Sequence, residues 1–76
     1  MSILPAFSAV LNDGLSDQEC KKITDRIKSL DGVLSAAFRK ATQDNPAEIW
    51  VTYMGNSPVQ GQASAIPGVR TTRPLI

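Results

Sequence analysis

Residues 15–39 read LSDQECKKITDRIKSLDGVLSAAFR, and this stretch decides the fold because it runs a helix straight into a strand. Ser16 with Glu19 three positions later forms a capping box: the Ser16 hydroxyl accepts from the Glu19 amide, and the Glu19 carboxylate reaches back to the Ser16 amide. Leu15 stands where it can staple onto Cys20, and Asp17 and Glu19 suit the positive end of the helix dipole. Apolar residues then recur at Cys20, Ile23, Ile27 and Leu30, which is the spacing of one helix face. Gly32 supplies a left-handed stop. The pattern predicts a helix over 17–31 and then a strand over 33–39, with Leu34, Ala36 and Phe38 on one face.

Outward from this unit, two more alternating stretches read as strands. Residues 6–11 set Phe7, Ala9 and Leu11 against Ala6, Ser8 and Val10, with Pro5 at the start, where a missing N–H is tolerated. Residues 48–54 place Ile49, Val51 and Tyr53 opposite Trp50, Thr52 and Met54, and this β-branched and aromatic density predicts a central strand. Gln43-Asp44-Asn45-Pro46 reads as the hairpin loop before it. Beyond the turn at Gly55-Asn56-Ser57-Pro58, residues 59–66 fit either a short helix or an irregular crossover, with Gly61 arguing against a good helix. Pro67-Gly68 is a turn, and residues 69–73 form a last edge strand stopped by Pro74.

The order β-α-β-β-(short α)-β predicts a compact α+β domain of ferredoxin-like type, 1–76, with a helix on one face of an antiparallel or mixed sheet and 74–76 as a free tail. The alternative is a β-α-β-β unit whose last twenty residues dock irregularly or on a partner.

Composition narrows the chemistry. The chain has 76 residues, eight Lys/Arg against seven Asp/Glu, no histidine and one cysteine. A single thiol excludes an internal disulfide, and without histidine a Cys/His zinc cage cannot be built. No cofactor or metal is expected. The balanced charge offers little steering toward phosphate backbones or acidic membranes. No apolar run approaches the roughly 20 residues of a membrane span. Met1-Ser2-Ile3-Leu4-Pro5 has no basic n-region, so no signal peptide is expected; with a free cysteine this points to a reducing, cytoplasmic setting.

Each candidate chemical group has a structural reading beside it. Cys20 stands near a helix N-terminus, which depresses thiol pKa, yet it falls in register with Ile23 and Ile27 and has no histidine to activate it, so core packing is expected. Asp13, Asp17 and Glu19 match no EF-hand spacing and are explained by capping and by the Asn12-Asp13-Gly14 turn. Lys21, Lys22, Arg26 and Lys28 read as a solvated helix face interrupted by Asp17, Asp25 and Asp31. With four aromatics in the chain, the stacking pattern of RNA-binding sheets is missing, which argues against a nucleic-acid partner.

Ala65-Ile66-Pro67-Gly68-Val69-Arg70 resembles the turn into the last strand of two ferredoxin-like families. One is the heavy-metal-associated domain; its Cys-x-x-Cys position holds Asn12-Asp13-Gly14-Leu15 here, so the metal role does not carry over. The other is the subtilisin propeptide with the protease inhibitors similar to it, which agree in length and element order. Their Gly-Phe step in the third strand is replaced by Glu48-Ile49-Trp50-Val51. The resemblance implies a C-terminal tail that enters a protease cleft, a place taken here by Thr72-Arg73-Pro74-Leu75-Ile76.

The expected function is a non-catalytic protein-interaction module, inhibitor- or adaptor-like. Its partner is another protein, a protease or other enzyme, bound through Arg70, Arg73, Pro74, Leu75 and Ile76. An assembly subunit, as of a phage or virion, and a weak nucleic-acid-binding domain are the alternatives. Self-association is left open.

Overall fold

A computed structural model describes residues 4–75. The chain forms β1 (Ala6–Leu11), α1 (Asp17–Lys28), β2 (Val33–Arg39), β3 (Glu48–Tyr53), α2 (Val59–Ser64) and β4 (Val69–Pro74). The strands make one sheet in the order β2-β3-β1-β4, every neighbouring pair antiparallel. β1 and β2 therefore run parallel with β3 between them, and β3 and β4 run parallel with β1 between them. The fold is α+β, with two helices and four strands among the described residues. None of the described helices is long and apolar enough to cross a membrane.

Period-two alternation sends Phe7, Ala9 and Leu11 of β1 and Ile49 and Val51 of β3 to one face, where all are fully buried. Cys20, Ile23 and Ile27 of α1 and Val59 and Ala63 of α2 join the same cluster, so both helices lie on that face. Burying each large apolar side chain there stabilises the fold by about 1.5–3 kcal/mol. Phe7 and Tyr53 meet edge to face at 5.5 Å between ring centroids. Thr24, which the apolar spacing omits, is also buried, and its hydroxyl donates to the Cys20 carbonyl at 2.9 Å.

The capping box forms as the sequence predicts. The Glu19 amide donates to Ser16 Oγ at 3.1 Å, and the Ser16 amide donates to Glu19 Oε1 at 3.3 Å. The other end differs from expectation: α1 stops at Lys28 rather than near 31. The Ser29 hydroxyl donates to the Arg26 carbonyl at 2.7 Å, and the Leu30 amide donates to Ile27 O, tightening the last turn into i→i+3 bonds. Gly32 does not end the helix directly; its φ of +94° turns the chain into β2.

Residues 59–64 are helical despite Gly61, because Val59 and Ala63 are fully buried and packing overrides propensity. Gly61 itself faces open space, and Gln60 Nε2 donates to Thr72 Oγ1 at 3.1 Å, tying α2 to β4.

Both outer strands carry a bulge. Leu34 is the extra residue of β2 opposite β3, and Arg70 is the extra residue of β4 opposite β1. Leu34 therefore has no partner on β3, while Ala36 and Phe38 keep the register of Val51 and Ile49. At the C-terminus, pairing continues past Arg73: Pro74 stands opposite Phe7, and the Leu75 amide donates to the Ala6 carbonyl at 3.1 Å. Of the expected tail 74–76, the first two residues are thus laid along β1, and Ile76 lies outside the described residues.

Candidate functional site

The second face of the sheet has no helix over it among the described residues. The strand registers lay its side chains out in rows. Arg39, Glu48, Val10 and Thr71 form one row, and Ala37, Trp50, Ser8 and Arg73 the next. Ser35, Thr52 and Ala6 form the third, which Leu75 extends through its bond to Ala6. The Tyr53 amide donates to the Pro5 carbonyl, so the β1–β3 pairing reaches one step further and sets Met54 beside Leu4 on this face.

Glu48 ties the upper two rows together. Its Oε1 accepts from Trp50 Nε1 at 2.6 Å, and its Oε2 accepts from Ser8 Oγ at 3.0 Å and lies 3.5 Å from an Arg73 guanidinium nitrogen. The Arg39 guanidinium sits over the Trp50 ring, 4.3 Å from its centroid, within cation–π range. The Trp50 hydrogen bond, chiefly, holds the Glu48 carboxyl below its ordinary range, with Ser8, Arg73 and Arg39 adding to it against an opposing contribution from burial.

Registered neighbours account for the burial of Ser8 without an overlying helix. Ser8 is flanked by Trp50 and Arg73 and is 1% exposed. Val10, beside Glu48 and Thr71 and next to Asn45 and Pro46 of the β2–β3 loop, is also buried. Side chains lying across the strands thus do part of the covering that a second helical layer would do.

Large apolar side chains are exposed on the same face. Leu4 is 50% exposed, Met54 47%, Leu75 40% and Trp50 40%. All four are large apolar side chains on one sheet face, with Ala6 and the hydrogen-bonded Ser35 and Thr52 hydroxyls in the row between Trp50 and Met54. The face therefore carries a polar network around Glu48 and exposed apolar side chains around it, with Trp50 bonded into the network.

The residues expected from sequence to bind a partner fall in three places. Arg73 and Leu75 are on this face. Arg70 sits at the β4 bulge and is exposed beside Asp44, Asn45 and Pro46. Pro74 registers with Phe7 on β1. The structure brings Arg73 and Leu75 together with Trp50, Glu48, Met54 and Leu4, none of which the sequence reading assigned to a site. Glu48 and Trp50 sit two apart on a strand, so their shared face is readable. Their meeting with Ser8, forty positions from Glu48, is not readable before the strand order is known.

Elsewhere, burial pushes the Cys20 thiol up, with the charges of Asp17 and Glu19 adding to it, so the group is a packed thiol and not an activated thiolate. A shallow groove of about 500 Å³ runs between α1 and the turn before β4, with Leu15, Ile23 and Pro67 flanked by Glu19, Lys22 and Arg26. Its charges are of both signs and exposed on the α1 side. No protein-family model, curated protein or solved structure matches the chain.

Proposed function

We propose that this chain is a non-catalytic protein-interaction module of ferredoxin-like fold that docks a partner protein on the uncovered face of its sheet. The observation that carries the reading is the exposure of four large apolar side chains, Leu4, Met54, Leu75 and Trp50, on one sheet face. Rigid aromatic and long apolar anchors beside a satisfied polar cluster are the usual make-up of an interface core and its rim. The strand order β2-β3-β1-β4 with α1 and α2 on one face supports the ferredoxin-like assignment.

Two features support a binding role over catalysis. Glu48, the carboxylate at the centre of the face, has its charge engaged by Trp50, Ser8 and Arg73 and its proton affinity lowered, which makes it a poor general base. The Cys20 thiol is buried and held in its protonated form. Because Pro74 and Leu75 are paired along β1, the docking element in this proposal is the face to which Leu75 belongs. A tail thrust into a protease cleft would first have to leave β4.

The test compares captures by immobilised chain from a lysate of the native host. Wild type, Trp50→Ala and Met54→Asp are run beside Lys21→Ala on the outer face of α1. The proposal expects one protein retained by wild type and Lys21→Ala and lost from the two face variants. Truncating a central anchor weakens an interface by about 2 kcal/mol, roughly thirtyfold in affinity. Equal retention by all four proteins would contradict it. Retention of single-stranded nucleic acid that depends on Trp50, Arg39 and Arg73 would replace it with the stacking mode of binding.

A further inference from the structure

The two edges of the sheet are unequal. β4 is blunted by the bulge at Arg70, by exposed Arg73 and by Pro74, all common protections of an edge strand. β2 has its own bulge at Leu34, but from Ser35 to Phe38 it has none of these: the run Ser-Ala-Ala-Phe carries no charge and no proline, and Leu34 and Phe38 are exposed large apolar residues. Among the described residues β2 pairs with β3 alone.

The free hydrogen-bonding groups of β2 can be assigned. The Tyr53 amide donates to Pro5 on the β1 side, and the Met54 amide donates to Gly32 on the β2 side. Antiparallel alternation then turns Thr52, Trp50 and Glu48 toward β2, so their partners Ser35, Ala37 and Arg39 use their backbone groups inward. Ala36 and Phe38 are left with N–H and C=O pointing outward.

The charges flanking this edge are ordered. Asp31 precedes the strand, and Arg39 and Lys40 close it. Parallel alignment with a second copy would set like charges together at both ends. Antiparallel alignment brings Asp31 of each copy toward Lys40 of the other. We propose that β2 is a self-pairing edge: two copies of this chain join β2 to β2, antiparallel, about a two-fold axis at Ala36, to form one eight-stranded sheet. This register makes Ala36 a hydrogen-bonded pair with itself and places Leu34 opposite Phe38 of the second copy, twice. The exposed apolar residues of the edge cover one another, and the outward backbone groups of Ala36 and Phe38 find partners. The uncovered sheet faces of the two copies become continuous.

The experiment is sedimentation equilibrium of the full chain from micromolar to millimolar concentration, with residue-resolved amide exchange at both ends of that range. The expected mass rises from 8.2 kDa toward twice that value. The Ala36 and Phe38 amides become protected with concentration, while the inward amides of Ser35 and Ala37 are protected throughout. The double substitution Leu34→Lys/Phe38→Lys puts like charges opposite one another at both crossings and should weaken association at least about tenfold. A chain that stays monomeric at every concentration would overturn the proposal. So would a dimer in which Ala36 and Phe38 exchange as they do in the monomer, or a folded double variant that associates like wild type. If the double variant does not fold, the exchange pattern of the wild-type chain decides alone.

Discussion

Glu48 holds Ser8, Trp50 and Arg73 at once, and the physical consequence is a dependence on pH. Its folded carboxyl binds a proton more weakly than the unfolded one, mainly through the Trp50 N–H. The resulting stabilisation is complete above the ordinary glutamate pKa of about 4.3 and is lost as pH falls through the lower folded value. Melting temperatures followed from neutral to acid pH should therefore drop more steeply for wild type than for Glu48→Gln; parallel curves would mean that the carboxylate contributes no charge-dependent stability. Cys20 makes the opposite kind of residue. Cys20→Ser should lower the melting temperature, because a hydroxyl would sit among Ile23, Ile27 and the sheet, and should leave partner capture unchanged. Its packing role was legible from the helical register alone. Ser8 was legible only as one half of an alternation, since what buries it arrives from β3 and β4.

At the scale of elements, the start of α1 was written locally and its end was not. The capping box needs only residues 16–19, so sequence and structure agree there, and Ser16→Ala should destabilise the fold by about 1 kcal/mol in chemical denaturation. The end depends on the Ser29 hydroxyl and on i→i+3 bonding, which compete with one further turn ending at Gly32. Gly32 is fixed by two conditions, a φ of +94° and the Ser57 side chain, which stands where a Cβ would go. Gly14 has φ +83° with open space around it. Gly32→Ala should therefore destabilise by clearly more than the roughly 1–2 kcal/mol of left-handed strain expected for Gly14→Ala; equal losses would show that Ser57 moves aside freely. α2 was only half legible, because the burial of Val59 and Ala63 against the sheet decides its state and Gly61 does not.

At the scale of the whole molecule, the two-layer arrangement leaves one sheet face to side chains alone. Alternation in β1 and β3 announced two distinct faces, and the α+β class followed from the order of elements. The neighbour relations of β1, β3 and β4 join residues 38 or more positions apart, and they are what place Leu75, Met54, Leu4 and Trp50 on one surface. Trp50 reports on it directly, being the single tryptophan of the chain and 40% exposed at the centre of the face. The measurement is its emission as a tryptophan-free form of the captured partner is titrated in. Docking on the uncovered face predicts a saturable shift to shorter wavelength as the indole loses water. Saturable binding that leaves the Trp50 emission unchanged would contradict it.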